Sequence, residues 1–270
     1  MEKTRQQHAW NRMFSFALAL LMTVSAVMGT ALPSKAAELP EYEIYPHPQS
    51  IEYGDASYII QKEVNIVYEN TIDQETKARL DETLELKENI NSSISEQLDK
   101  NKINILLGTY GSNEYVDQYV KKNIQVNTSG LFEKTDAYLL DNQNGVITIL
   151  GKDSDACFYG LTTFYHVLKQ LDSYTIRNFH VEDWADVVSR GFIEGYYGNP
   201  WSTNDRVNLM KWAGYYKLNS YIYAPKNDPK HNEQWRQLYS EDELKKMIIP
   251  LSEAGQKSKC RFVYALHPFM

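Results

Sequence analysis

Residues 190–240 read RGFIEGYYGNPWSTNDRVNLMKWAGYYKLNSYIYAPKNDPKHNEQWRQLYS. Gly191–Glu194 is a short apolar run that predicts a strand. Ser202, with Asp205 three residues on, opens a helix carrying Val207, Met210 and Ala213 at helical spacing. Ser220–Ala224 predicts the next strand. Further out, Ser240 and Glu243 form a second capping box ahead of Leu244, Met247, Ile248 and Leu251, and Arg261–Leu266 predicts a third strand. Strands alternating with helices indicate a parallel sheet built from β-α units. Pro250 lacks an N–H and predicts a kink or split in the second helix. The two complete β-α loops are long. One is Gly195-Tyr196-Tyr197-Gly198-Asn199-Pro200-Trp201, the other Pro225-Lys226-Asn227-Asp228-Pro229-Lys230-His231 with Trp235 beyond. In a β/α barrel, such loops form the active face. Rings, a lysine, an amide and a carboxylate gathered there suit a sugar, whose apolar faces meet rings and whose hydroxyls meet polar groups.

Upstream, residues 39–183 mix strands and helices. Val64–Tyr68 and Ile103–Gly108 predict buried strands, and the charged stretch Gln74–Leu98 between them predicts helix, with Leu80, Leu84 and Leu86 inward. Ala137–Leu140 and Val146–Leu150 flank Asn142-Gln143-Asn144-Gly145, which predicts a hairpin. Asp153–Leu171 is an amphipathic helix capped by Asp153 or Ser154. Its Phe158, Leu161, Phe164, Tyr165 and Leu168 recur at core spacing. The expected fold class is α/β: a small α+β domain over 39–183, then the first three β-α units of an incomplete TIM (β/α)8 barrel over 187–270.

Residues 1–36 stand apart. Lys3, Arg5 and Arg12 precede the apolar run from Met13, and Ser34-Lys35-Ala36 supplies the small residues of a cleavage site. This pattern predicts a signal peptide and a secreted chain with no membrane association after cleavage; the competing reading is an uncleaved anchor. Residues 1–36 carry four basic residues and one acidic, so the remainder holds 24 basic and 34 acidic residues, a net charge of −10. That excess argues against nucleic acid, whose binding relies on basic groups. Two cysteines, Cys157 and Cys260, do not make a disulfide framework and read as buried thiols. No Cys/His cluster has metal-ligand spacing, so no metal and no cofactor is expected.

The E-G-Y-Y-G-x-P-W run, the N-x-Y-I-Y-A-P-K strand end and the following H-x-x-x-W-R closely resemble the opening of the catalytic barrel in glycoside hydrolase family 84. That family holds hyaluronidase-like β-N-acetylglucosaminidases and O-GlcNAcases. The part before it, with its Tyr45-Pro46-His47-Pro48-Gln49 start, is similar to the small domain that precedes the barrel in hexosaminidases. The resemblance implies a glycan partner with terminal N-acetylglucosamine. It implies that Gly195 lines the sugar subsite through its backbone and that Lys226 contacts sugar hydroxyls. It gives Glu194 no acid-catalyst role; this carboxylate reads as structural, and Asp228 as a residue behind the sugar contacts. Departures stand at Asn227, where the family often has Asp, and at His267-Pro268-Phe269-Met270, where it commonly has a Ser-Pro-Gly type turn.

The family's implied reaction is retaining and substrate-assisted: the 2-acetamido oxygen attacks C1 to give an oxazoline, with two adjacent aspartates assisting. The pair belongs after a fourth barrel strand, and the sequence contains no Asp-Asp pair. About 80 residues follow Val187, whereas such a barrel needs about 250. The expectation is therefore a hydrolase truncated before its catalytic pair, inactive alone and poorly stable in its last third. A non-catalytic secreted carbohydrate-binding protein is the alternative, and a hexosaminidase of another family ranks third.

Overall fold

The computed structural model describes residues 41–195 and 199–268. The segment read as a signal peptide, Tyr196-Tyr197-Gly198 and Phe269-Met270 lie outside the described residues.

The first part is a seven-stranded mixed sheet. Its strands are β1 (Ser50–Ile59), β2 (Glu63–Tyr68), β3 (Asn91–Ile94), β4 (Ile103–Thr109), β5 (Thr135–Gln143), β6 (Val146–Gly151) and β7 (Thr175–Ala185). They lie in the order β1-β7-β5-β6-β4-β2-β3. Neighbours from β6 to β3 run parallel and those from β1 to β6 antiparallel. Every residue of β4 is buried, because helices cover both faces. Ile105 and Leu107 pack with Phe158, Leu161 and Phe164 of helix α3 (Ser154–Gln170) and with Leu80 and Leu84 of α1 (Gln74–Leu84). Leu106, one residue out of phase, packs with Val116 and Val120 of α2 (Tyr115–Asn123). The period-2 alternation of a strand thus serves two cores.

Local chemistry sets the boundaries. Asp153 caps α3 by accepting from the Ala156 N–H at 2.9 Å. Asn144 (φ 49°) and Gly145 (φ 92°) close the β5–β6 hairpin, both in the left-handed region that such a two-residue turn needs. One expectation is corrected: helix does not run from Gln74 to Leu98. It stops at Leu84, Asn89 takes φ 60°, and Asn91–Ile94 becomes β3, paired parallel with β2. The Asn91-Ser92-Ser93 run is a poor helix former, and the open edge of β2 offers it ladder hydrogen bonds.

The second part is a three-stranded parallel sheet, β8 (Gly191–Glu194), β9 (Ser220–Tyr223) and β10 (Arg261–Tyr264), with β9 in the middle. Helix α4 (Thr203–Tyr215) joins the first two strands and α5 (Ile249–Ser258) ends at the third. Both predicted capping boxes are present, Ser202 with Asp205 and Ser240 with Glu243. Pro250 splits the second helix as expected. The turn before it, Leu244–Ile248, widens to π-helical form and α5 starts after it. On the helix side, Tyr221 with Phe192 and Phe262 beside it packs on Met210, Ala213 and Leu251. On the opposite side, Ile193, Ile222 and Val263 stand in register, with Ile193 64% and Val263 36% exposed. The mixed sheet followed by β-α units of a partial barrel-type fold is the α/β class read from the sequence. Among the described residues, no helix is long and apolar enough to cross a membrane. Cys157 and Cys260 are free and buried, and burial pushes both thiols up, Cys260 to about 12.

The two parts meet at the N-terminal ends of the parallel strands, where each strand is preceded by a cation paired to the mixed-sheet part. Arg190 donates to Asp136 at 2.7 Å. Lys217 donates to Asp183 and to the Tyr138 hydroxyl, each at 2.8 Å. Lys259 bonds Asp73 at 2.5 Å and Asp155 at 2.8 Å. Lys217 (φ 58°) and Lys259 (φ 56°) both sit just past a helix in the left-handed conformation, where glycine or asparagine is the usual choice. A non-glycine residue there costs about 1–2 kcal/mol, so the side-chain contacts must offset it. Lys217 and Asp183 are both nearly inaccessible. Lys217→Met should therefore lower unfolding free energy by about 3–5 kcal/mol, since it leaves Asp183 buried without its cation. Urea denaturation read by tryptophan fluorescence checks this, and a loss under about 1 kcal/mol would refute the role assigned to the contact.

Candidate functional site

The loops at the opposite, C-terminal ends of the parallel strands form the candidate site. In register, Glu194 is level with Tyr223, and the Ala224 N–H donates to the Glu194 carbonyl at 3.1 Å. Gly195 and Ala224 are thus neighbours on adjacent strands, and Lys226 lies two residues further. The two positions predicted from sequence share one rim.

Glu194 closes β8 and is only 1% exposed. Arg206 of α4 clamps it with two hydrogen bonds, Nε to Oε2 at 2.8 Å and Nη2 to Oε1 at 2.7 Å, and the Tyr221 hydroxyl donates to Oε2. A carboxylate held in this way has both oxygens occupied, which fits a structural role. Burial works against the Arg206 charge, but the Glu194 hydrogen bonds outweigh it and hold the guanidinium above its ordinary value. Asp228 organises the second loop. Its Oδ2 accepts from the hydroxyls of Tyr223 at 2.9 Å and Tyr239 at 2.5 Å, and its Oδ1 from the Lys230 N–H at 2.9 Å. Tyr239 also bonds Tyr264 of β10 at 2.9 Å. Burial first, then Asp228, pushes the Tyr239 phenol up, so it remains a donor. His231, buried, holds the same loop to β10 through Nδ1 and the Ala265 carbonyl at 2.7 Å.

Against this framework the two predicted contact residues are uncommitted. Asn232 fixes the Lys226 backbone by donating to its carbonyl at 3.2 Å. Among the described residues, the half-buried Lys226 ammonium has neither hydrogen bond nor ion pair. A Cβ built on Gly195 meets, among the described residues, only Ile193 Cγ2 at 3.7 Å, an ordinary contact. Nothing among the described residues demands glycine there. Gly191 is different, because its Cβ would fall 1.7 Å from the Ser220 carbonyl oxygen.

The sequence reading missed Arg206, Tyr221 and Tyr239. Arg206 had a signal: it lies four and seven residues before Met210 and Ala213, on the buried stripe of α4, and a charge there needs a partner. Among the described residues, no group of three His, Cys, Asp or Glu side chains could hold a metal ion.

Two family models match. Residues 190–270 fit beta-N-acetylglucosaminidase, and residues 41–184, more than half of the chain, fit glycosyl hydrolase family 20, domain 2. The solved structure of CpGH84D superposes with TM-score 0.82 at 40% identity, over 86% of this chain and 38% of that one. The chain is a glycoside hydrolase family 84-like N-terminal region. The structure of CpGH84B agrees, with TM-score 0.72 at 28% identity over 84% of this chain and 37% of that one. Rat protein O-GlcNAcase is 38% identical over 78 residues, 29% of this chain and 8% of the rat protein. The chain thus spans less than two fifths of the family 84 structures it matches, and it corresponds to the N-terminal region of this N-acetylglucosaminidase-type hydrolase family.

The two glycines separate folding from binding. Gly191→Ala should destabilise by at least about 2 kcal/mol, because backbone must move to admit the methyl group, while Gly195→Ala should leave the melting temperature within about 2 °C. Calorimetry on the two variants checks this. Equal losses would show that Gly195 is also a packing glycine.

Proposed function

We propose that this chain supplies the front wall of the sugar subsite in a β-N-acetylglucosaminidase. In this reading, Gly195 lets backbone approach the N-acetylglucosamine ring and the Lys226 ammonium donates to its hydroxyls. One observation carries the proposal: a lysine without a partner and a glycine without a close neighbour, among the described residues, lie at the same end of adjacent parallel strands. A rim glycine with space above it suits close approach of a ligand. A half-buried ammonium with three donors and no acceptor among the described residues suits a hydroxyl-rich partner.

The reaction proposed is retaining hydrolysis through an oxazoline formed by the substrate's own acetamido oxygen. The acid-base aspartate pair is not among these residues, for the sequence has no adjacent aspartates. Glu194 does not replace it, since Arg206 and Tyr221 occupy both of its oxygens. The 270-residue chain alone should therefore give no turnover of a chromogenic N-acetylglucosaminide. A chimera in which residues 41–268 replace the matching part of CpGH84D should hydrolyse it. In the chimera, Gly195→Ala and Lys226→Ala should each lower kcat/KM by about 10²-fold, some 2.7 kcal/mol of transition-state stabilisation. Turnover by the chain alone, or an active chimera indifferent to both substitutions, would falsify the proposal.

Export is a separate proposal. It rests on the charged start, apolar run and Ser-x-Ala site of residues 1–36, with cleavage after Ala36. Mass spectrometry of the chain recovered outside the producing cell should find Ala37 first; a chain retained in the membrane fraction with Met1 intact would overturn it.

A further inference from the structure

A second cleft, of about 450 Å³, opens between the two rim loops and the helices behind them. Trp201 forms one wall, Asn227 and Asp228 the other, and Tyr239, Lys246 and Met247 the back. We propose that this cleft is a second carbohydrate subsite, which binds an uncharged pyranose unit of a glycan chain. The inference rests on the carbohydrate reading of the Gly195–Lys226 rim and extends it from one sugar to an oligosaccharide.

Three observations converge. The Trp201 ring is 40% exposed at the mouth of the cleft, a large aromatic face set among polar groups. An exposed ring suits the apolar face of a pyranose, and the Asn227 amide opposite suits its hydroxyls. The far wall, the back and the floor are also braced by hydrogen bonds before any ligand arrives. Asp228 is fixed by three donors, Tyr239 is tied to Tyr264, and Arg206 in the floor is clamped on Glu194. Pre-organisation of this kind lowers the ordering cost of binding. Finally, the back wall is the π-helical turn Leu244–Ile248, which carries Lys246 and Met247. Pro250 has no N–H for the Lys246 carbonyl, so the widened turn has a local cause. Such turns often accompany functional sites.

The charge balance selects the ligand class. Asp228 and Glu243 face Arg206 and Lys246 across the cleft; Arg206 pairs with Glu194, Glu243 with Lys230, and Lys246 with Asp242 at 2.7 Å. Among the described lining residues each cation has a carboxylate partner, so the lining does not favour a uronate or a sialate. Asn227 follows Lys226 directly, so a ligand in the cleft and a sugar at Lys226 lie along one strand end and can belong to the same chain.

Calorimetric titration of the 270-residue chain with the β-1,4-linked tetramer of N-acetylglucosamine tests this. The tetramer should bind at least about tenfold more tightly than the monosaccharide. Trp201→Ala should remove that advantage, Trp201→Phe should retain part of it, and Asn227→Ala should lower it about threefold. Trp212→Ala, an exposed tryptophan of α4 outside the cleft, should change nothing. If Trp201→Ala shifts the melting temperature, Trp201→Phe and Asn227→Ala decide. A tetramer with no advantage, or one whose advantage survives these substitutions, overturns the inference, even where the chimera hydrolyses substrate in a Lys226-dependent way. Trp201-dependent tetramer binding beside an inactive chimera supports the cleft and counts against the hydrolytic reading instead.

Discussion

Three cations at the feet of three parallel strands join the two parts of this chain. Arg190, Lys217 and Lys259 each stand within three residues of a strand start and each reach a carboxylate of the mixed sheet or its helices. These contacts are not loose surface pairs. Arg190 Nε also donates to the Lys217 carbonyl at 3.1 Å, so the first two feet are tied together. Lys217 loses solvation completely, which lowers its amine, and Asp183 partly restores the charge. Lys259 also loses solvation, but its hydrogen bonds to Asp155 and Asp73 prevail and hold its amine above the ordinary value. Two carboxylates around one ammonium outweigh partial burial and raise its amine; a single one at full burial only offsets part of the lost solvation.

The direction of the strands follows from those feet. A parallel strand whose N-terminal end is bonded to the mixed sheet must present its C-terminal end away from it. The rim loops therefore face outward, and the surface below them is consumed by ion pairs and by Tyr215, whose hydroxyl meets Glu82 of α1. Stability lies at one end of the strands and uncommitted groups at the other. Glu194 and Asp228 carry the same division into the rim: both carboxylates are spent on fixing loops, which leaves the Lys226 ammonium at their edge. The row Ile193, Ile222 and Val263 has no such anchorage, and Ile193 and Val263 stay exposed.

Much of this was legible because it was local. Capping boxes at Ser202 and Ser240, the Asn144-Gly145 turn and the α3 core stripe each depend on residues within a few positions of one another, and all are where the sequence put them. The hidden features were non-local. β3 forms because β2 has an edge to offer, a fact carried by no residue in Asn91–Ile94. β1 and β7, paired across more than a hundred residues, lack a strong alternating pattern: β1 is half exposed throughout. Lys217 and Lys259 have no local sequence signal for their pairing, because their partner carboxylates lie 34 and 186 residues away. The rim itself was half legible. Gly195 and Lys226 came from a resemblance, while the Arg206 clamp needed the observation that a charge lay on an apolar stripe.

The same reasoning bears on why a lysine stands where glycine would be easier. At residues 217 and 259 the chain leaves a helix and must turn sharply into a strand. Glycine would meet the backbone requirement but would leave Asp183, or Asp73 with Asp155, facing the joint without a cation. Each carboxylate has other work: Asp73 caps α1, accepting from the Thr76 N–H at 2.8 Å, and Asp183 accepts from Tyr138 at 2.7 Å and from the Gln49 N–H at 3.1 Å. Removing the acids would damage the mixed sheet, and leaving them unpaired would cost more than a left-handed lysine. The strain at the turn is thus the smaller of two costs, and it sets the parallel strands on the one part of the chain with a complete core.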